Sequence, residues 1–179
     1  MMKKQILIPV LAILVAAAVL LGLSLGLSGI YKENKKAELD AKLSTLLPGS
    51  NSFTEKAYTG EDVNISKVYA GSTGFVIETK TAGYAGEITM LVGVDKKGVV
   101  TGLTVRDMAE TAGLGSQALT DWEFLVQFLN RNDTFEVGTN VDALTGATVT
   151  SKAVARSINS AVAYVTGADA SSGATSWGG

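Results

Sequence analysis

Between Gln5 and Tyr31 the chain carries no charged residue, and that run narrows its folding choices more than any other feature. At about 1.5 Å of rise per residue, a helix of this length more than covers a hydrocarbon core of about 30 Å. Residues 1–31 therefore read as an N-terminal transmembrane anchor. A cleaved secretory signal is the competing reading. The apolar run outlasts an ordinary h-region of roughly 7–15 residues, and no A-x-A-like site follows it. Lys3 and Lys4 precede the segment while Lys32, Lys35 and Lys36 follow it. The positive flanks balance, so charge alone leaves the orientation open.

The rest of the 179 residues suffices for one ordinary domain. A structural filament protein also begins with an apolar helix feeding such a domain. Pilin-like helices, however, place an acid near the start of the run, and none occurs from Gln5 to Ile30. There is no His and no Cys, which removes the usual ligands of zinc, iron–sulfur clusters and haem. Ser-His-Asp and Cys-His nucleophiles are excluded as well. A redox role would thus rest on an organic cofactor, with no metal site. The net charge of -2 and the lack of a basic, aromatic-interleaved patch argue against a nucleic-acid partner.

Periodicity divides the remainder. Leu39, Leu43 and Leu46 recur at helical spacing before Pro48 and Gly49, so residues 32–49 are expected to form an amphipathic linker helix. Short β-rich runs follow at Phe75 to Thr79, Ile88 to Val94 and Val99 to Val105, with a hairpin expected across Asp95-Lys96-Lys97-Gly98. Thr120 and Glu123 have capping-box spacing, and Trp122, Leu125, Val126 and Leu129 suggest the buried stripe of a helix. A further helix is predicted from about Thr150 to Val165, burying Val154, Ile158, Ala161, Val162 and Val165. The fold class is α+β, with one domain of antiparallel strands packed with helices over residues 50–166. A flexible Gly/Ser/Ala tail is expected over 167–179.

Asp142-Ala143-Leu144-Thr145-Gly146-Ala147-Thr148-Val149-Thr150-Ser151 precedes that last helix, where free backbone N–H groups and the helix dipole favour an anion. Gly146 and Ala147 are small enough for close backbone approach, Thr145, Thr148, Thr150 and Ser151 offer hydroxyls, and Lys152 and Arg156 lie one turn apart. From spacing alone, an ordinary Thr/Ser helix cap explains the segment as well.

The same residues resemble the flavinylation motif of the FMN-binding domain family, Asp-x-x-(Ser/Thr)-Gly-Ala-Thr-x-(Ser/Thr). The resemblance continues through Gly83-Tyr84-Ala85-Gly86-Glu87-Ile88, Met90 to Asp95, Glu110-Thr111-Ala112-Gly113-Leu114-Gly115 and Leu47-Pro48-Gly49. Up to about Thr166 the chain is similar to the G subunits of Rnf electron-transport complexes. That resemblance implies an FMN esterified through its phosphate to Thr148 by a separate flavin transferase, with the flavin domain on the extracytoplasmic side of the cell membrane. It also implies electron relay among the other subunits of an ion-translocating ferredoxin:NAD⁺ oxidoreductase, with no complete activity in this chain alone. Ala112 stands where that family usually has Pro. Gly113 and Gly115 would let the backbone approach the isoalloxazine, Leu114 would cover its face, Thr111 would bond its polar edge, and Glu110 belongs to the same run. Tyr84 is a further candidate contact, although an aromatic there could equally pack into the sheet.

A second copy of the pattern, Asp169 to Thr175, lies in the tail. No helix can follow Thr175 to receive the phosphate, so Thr148 is the expected site. The alternatives are the C subunit of the Na⁺-translocating NADH:quinone reductase, typically longer, or a stand-alone anchored flavoprotein. From another class, a non-redox anchored binding module also fits the composition.

Overall fold

The computed structural model describes residues 33–108 and 119–168. The chain falls into two compact units, Met1–Leu39 and Asp40–Gly179. Of the first, only residues 33–39 are described. They are helical and belong to α1, residues 33–46. The apolar run Gln5 to Tyr31 lies outside the described residues, as does the tail from 169. Among the described residues no helix is long and apolar enough to cross a membrane.

The second unit is built on one antiparallel sheet whose strands lie in sequence order: β1 Thr54–Lys56, β2 Ile65–Ala70, β3 Gly74–Ala82, β4 Glu87–Asp95 and β5 Val100–Met108. The three runs read from hydropathy correspond to β3, β4 and β5, each extending past its apolar stretch. The expected hairpin joins β4 to β5. Asp95 Oδ1 accepts from the amides of Lys97 and Val99 at 2.8 and 2.9 Å, holding the turn closed. β1 escaped the hydropathy reading because its three residues are all exposed and show no alternation.

Alternation sorts β4 onto two faces. Ile88, Met90, Val92 and Val94 join the main core, which also includes Ile77, Phe124, Val154 and Ile158. On the opposite face, a Cβ at Gly93 or Gly102 would collide with the backbone of Leu46. Thr101 Oγ1 donates to the Leu46 carbonyl at 2.6 Å, and Leu43 and Leu47 are fully buried. The C-terminal part of α1 is therefore part of the fold as well as a connection to what precedes it.

The helix α3, Thr148–Thr166, packs on β3 and β4. Val154, Ile158, Ala161 and Val162 are buried as the 3.6-residue period requires, while Val165 is half-buried. Its other side is closed by the segment after Leu119. Asn159 accepts from the Phe135 amide and donates to the Phe135 carbonyl, both at 2.8 Å. Gly167, at φ 71°, ends the helix.

The short helix α2, Trp122–Val126, departs from the expected pattern. Its cap is Asp121, which accepts from the Phe124 amide at 3.0 Å, so Thr120 is not the capping residue. Trp122 and Val126 are exposed, and Phe124 and Phe128 fill the core. Phe124, Phe128 and Phe135 stack edge to face, with centroids 5.3 and 5.1 Å apart. A helix of barely one turn has no continuous stripe, so the favourable ring geometry decides which residues go inside.

Candidate functional site

The turn before α3 is held by side chains that leave the helix start open. Gln127 Oε1 accepts from the Asp142 amide at 2.8 Å. Ser151 Oγ accepts from the Leu144 amide at 3.1 Å and donates to the Ala147 carbonyl at 2.9 Å. Ser151 is fully buried and spends its hydroxyl on this turn. Gly146 takes φ 78°, a left-handed conformation that costs a residue with a Cβ about 1–2 kcal/mol.

The N-cap is Ala147, and no side chain caps the helix. A Ser/Thr cap, the ordinary explanation of the motif, is therefore not what these hydroxyls form. The first intrahelical bond runs from the Ser151 amide to the Ala147 carbonyl at 2.9 Å. The amides of Thr148, Val149 and Thr150 are left at the positive end of a 19-residue helix. Thr148 is exposed in the first turn, with Thr145 and Gly146 exposed beside it and Ala147 buried beneath. Thr150 is fully buried, and its Oγ1 has no hydrogen-bond partner. Lys152 is exposed and Arg156 half-buried on the next turn.

Topology brings other sequence-predicted residues to the same end. Thr81 Oγ1 donates to the Ala153 carbonyl at 3.2 Å and lies 2.9 Å from Ser157 Oγ. Further along, Phe75 meets Tyr164 edge to face at 5.5 Å. The helix thus runs antiparallel to β3, with its N-terminus toward the β3–β4 turn. Tyr84 occupies that turn, which the Gly83 amide closes on the Gly86 carbonyl at 2.7 Å. Tyr84 is 79 % exposed rather than packed into the sheet. The last residue of β5, Met108, pairs with Ile88, so β5 also ends here. Glu110, Thr111, Gly113, Leu114 and Gly115 lie outside the described residues.

Sequence patterning misplaces Trp122 and Val126 and passes over Glu78. Trp122, assigned to the core, is 66 % exposed. Glu78, not singled out, is a buried carboxylate at 4 % exposure. The alternation Val76-Ile77-Glu78 was its available signal, because it puts Glu78 on the face of the fully buried Val76.

An exposed hydroxyl in the first turn of a long uncapped helix, with a tight glycine turn before it, suits a phosphate ester. Comparison with known proteins points to a flavin-binding domain. Residues 83–163 match the FMN-binding domain family. The matched stretch spans the Tyr84 turn, β4, β5, α2 and α3 through Ala163. The chain is similar to the G subunit of the Na⁺-translocating ferredoxin:NAD⁺ oxidoreductase complex of Acetobacterium woodii, 36% identical over 56% of this chain and 53% of that protein. It is 37% identical to the G subunit of the proton-translocating ferredoxin:NAD⁺ oxidoreductase complex of Clostridium ljungdahlii, over 51% of this chain and 53% of that one. The G subunit of the ion-translocating oxidoreductase complex of Haemophilus influenzae is 33% identical over 59% of this chain and 60% of its own. The chain therefore spans a little over half the length of these relatives. The chain thus resembles both the FMN-binding domain family and G subunits of ion-translocating oxidoreductase complexes.

Proposed function

We propose that this chain is a membrane-anchored flavoprotein, with FMN bound covalently through Thr148, that relays electrons in an ion-translocating ferredoxin:NAD⁺ oxidoreductase complex. The observation that carries the reading is the exposed Thr148 at the uncapped start of α3, inside a stretch that matches the FMN-binding domain family. FMN supplies reversible electron uptake when bound, and the protein supplies everything that holds it. Thr148 would contribute the hydroxyl oxygen of the ester, losing its proton as the new O–P bond forms and the phosphoanhydride bond of an activated flavin phosphate breaks, with the flavin transferase that presents this donor releasing the departing phosphate-bearing group. The Thr148, Val149 and Thr150 amides would then face the phosphate oxygens, helped by the helix dipole. Lys152 and Arg156 would add positive charge from the next turn. Tyr84, with Thr111, Gly113, Leu114, Gly115 and Glu110, would surround the ring. The other members of the complex would be the electron donor and acceptor. Anchor 1–31, a linker helix 32–49 whose last turns pack on the domain, domain 50–166 and tail 167–179 complete the proposed organisation.

Co-expression with a flavin transferase tests the assignment. The wild type should carry yellow fluorescence through denaturing electrophoresis, with one FMN mass on the peptide containing Thr148. Thr148→Ala should abolish it because no hydroxyl remains, Thr148→Ser should retain part of it, and Thr175→Ala should keep it. Label persisting in Thr148→Ala, or mapping to Thr175, would overturn the site. A wild type without covalent flavin beside an active transferase would overturn the function as well.

A further inference from the structure

Glu78 sits within β3 opposite Leu91, on the face turned away from α3. Its two carboxylate oxygens are taken by different strands. Ser66 Oγ on β2 donates to Oε1 at 3.1 Å, and the Arg106 guanidinium on β5 pairs with Oε2. The carboxylate holds the Arg106 pKa above its usual value, which is the largest influence on that group.

Both partners are extra residues in β-bulges. The β2–β3 register passes from Ile65↔Thr79 to Lys67↔Glu78, skipping Ser66. The β4–β5 register passes from Thr89↔Asp107 to Met90↔Val105, skipping Arg106. A bulge bends its strand, raises the local twist and re-aims a side chain. Here two bulges, on strands either side of the β3–β4 pair, aim their freed side chains at one buried carboxylate. The strand ends beyond them, the start of β2 and the finish of β5, lie at the end of the sheet that carries the Tyr84 turn and the start of α3.

We propose that Glu78 is a positioning residue for the candidate flavin site: its carboxylate clamps the bulges at Ser66 and Arg106 and so sets the geometry of the sheet end on which that site is built. The assignment rests on the flavin reading above. The clamp itself also has a signature that needs no flavin. Glu78→Gln keeps the size and a hydrogen-bonding oxygen for Ser66 but removes the charge that holds Arg106. Arg106→Lys keeps a cation without the planar fork.

Amide hydrogen exchange on the flavin-free full-length protein should show residues 64–68 and 104–108 exchanging about tenfold faster in Glu78→Gln, less than a fully buried pair would give because the Arg106 side chain is half exposed. Residues 90–93 and 153–161 should change little, and Arg106→Lys should fall between. In flavin-loaded protein, Glu78→Gln should keep FMN on Thr148 yet shift its midpoint potential and absorption band, with Arg106→Lys closer to wild type. Should Glu78→Gln fail to fold, Ser66→Ala and Arg106→Lys carry the same two measurements. Uniform acceleration of all segments, or an unchanged potential and spectrum in folded variants, would overturn the proposal. A wild type that takes up no flavin would instead sink the flavin reading, leaving the exchange pattern to decide the clamp.

Discussion

Thr148 and Thr150 are two residues apart in sequence, yet their surroundings are opposite: one is exposed, the other fully buried with an unpartnered Oγ1. Burying an unpaired hydroxyl generally costs about 1–3 kcal/mol. Thr150→Val preserves shape and β-branching while removing that group. The flavin-free variant should therefore gain about 1 kcal/mol in urea unfolding, and should take up flavin more slowly in a timed transferase assay because the hydroxyl no longer stands by the helix start. The motif itself was legible in the sequence because its residues are contiguous. The alanine at the N-cap and the commitment of Ser151 to the preceding turn were not, since both depend on how the chain folds back through Leu144 and Ala147.

The elements follow the same division. α3 was readable because Val154, Ile158, Ala161 and Val162 repeat with the helical period. Its polar contact with the far layer was not, because Asn159 finds Phe135 across 24 positions of sequence. Asn159→Ala should destabilise the domain by about 3 kcal/mol, since it orphans a buried N–H and a buried carbonyl together. A lower urea midpoint with an unchanged denaturant slope would register that loss. α2 shows the reverse failure. Trp122 and Val126 fit a helical stripe, but five residues of helix cannot sustain one, and Phe124 takes the core position.

Across the second unit, entry and candidate site occupy opposite ends of the sheet. Leu46 crosses it at Gly93 and Gly102, beside the β4–β5 hairpin, whereas Thr148 stands at the end with the β3–β4 turn. The proposed location of the flavin domain outside the cytoplasm depends on the topology of the apolar run, whose flanking charges balance. A reporter active only in the cytoplasm, fused after Gly179, should stay silent in membrane-inserted protein. Strong activity from such a fusion would reverse the orientation and reroute the electron path with it.

By itself the sequence determined the local features: an uncharged stretch long enough to span a bilayer, the main strands and long helix, and a threonine in a motif that resembles a flavin-attachment pattern. Each is carried by neighbouring residues, where alternation, helical period and motif spacing act directly. Only the tertiary structure decided that Thr148 heads an uncapped helix, that the Tyr84 turn and the end of β5 lie at the same end, and that Glu78 is buried between two bulges. Those outcomes turn on strand register and on how α3 lies along β3, which are long-range choices made by packing, where a shift of one residue would turn Glu78 to the opposite face.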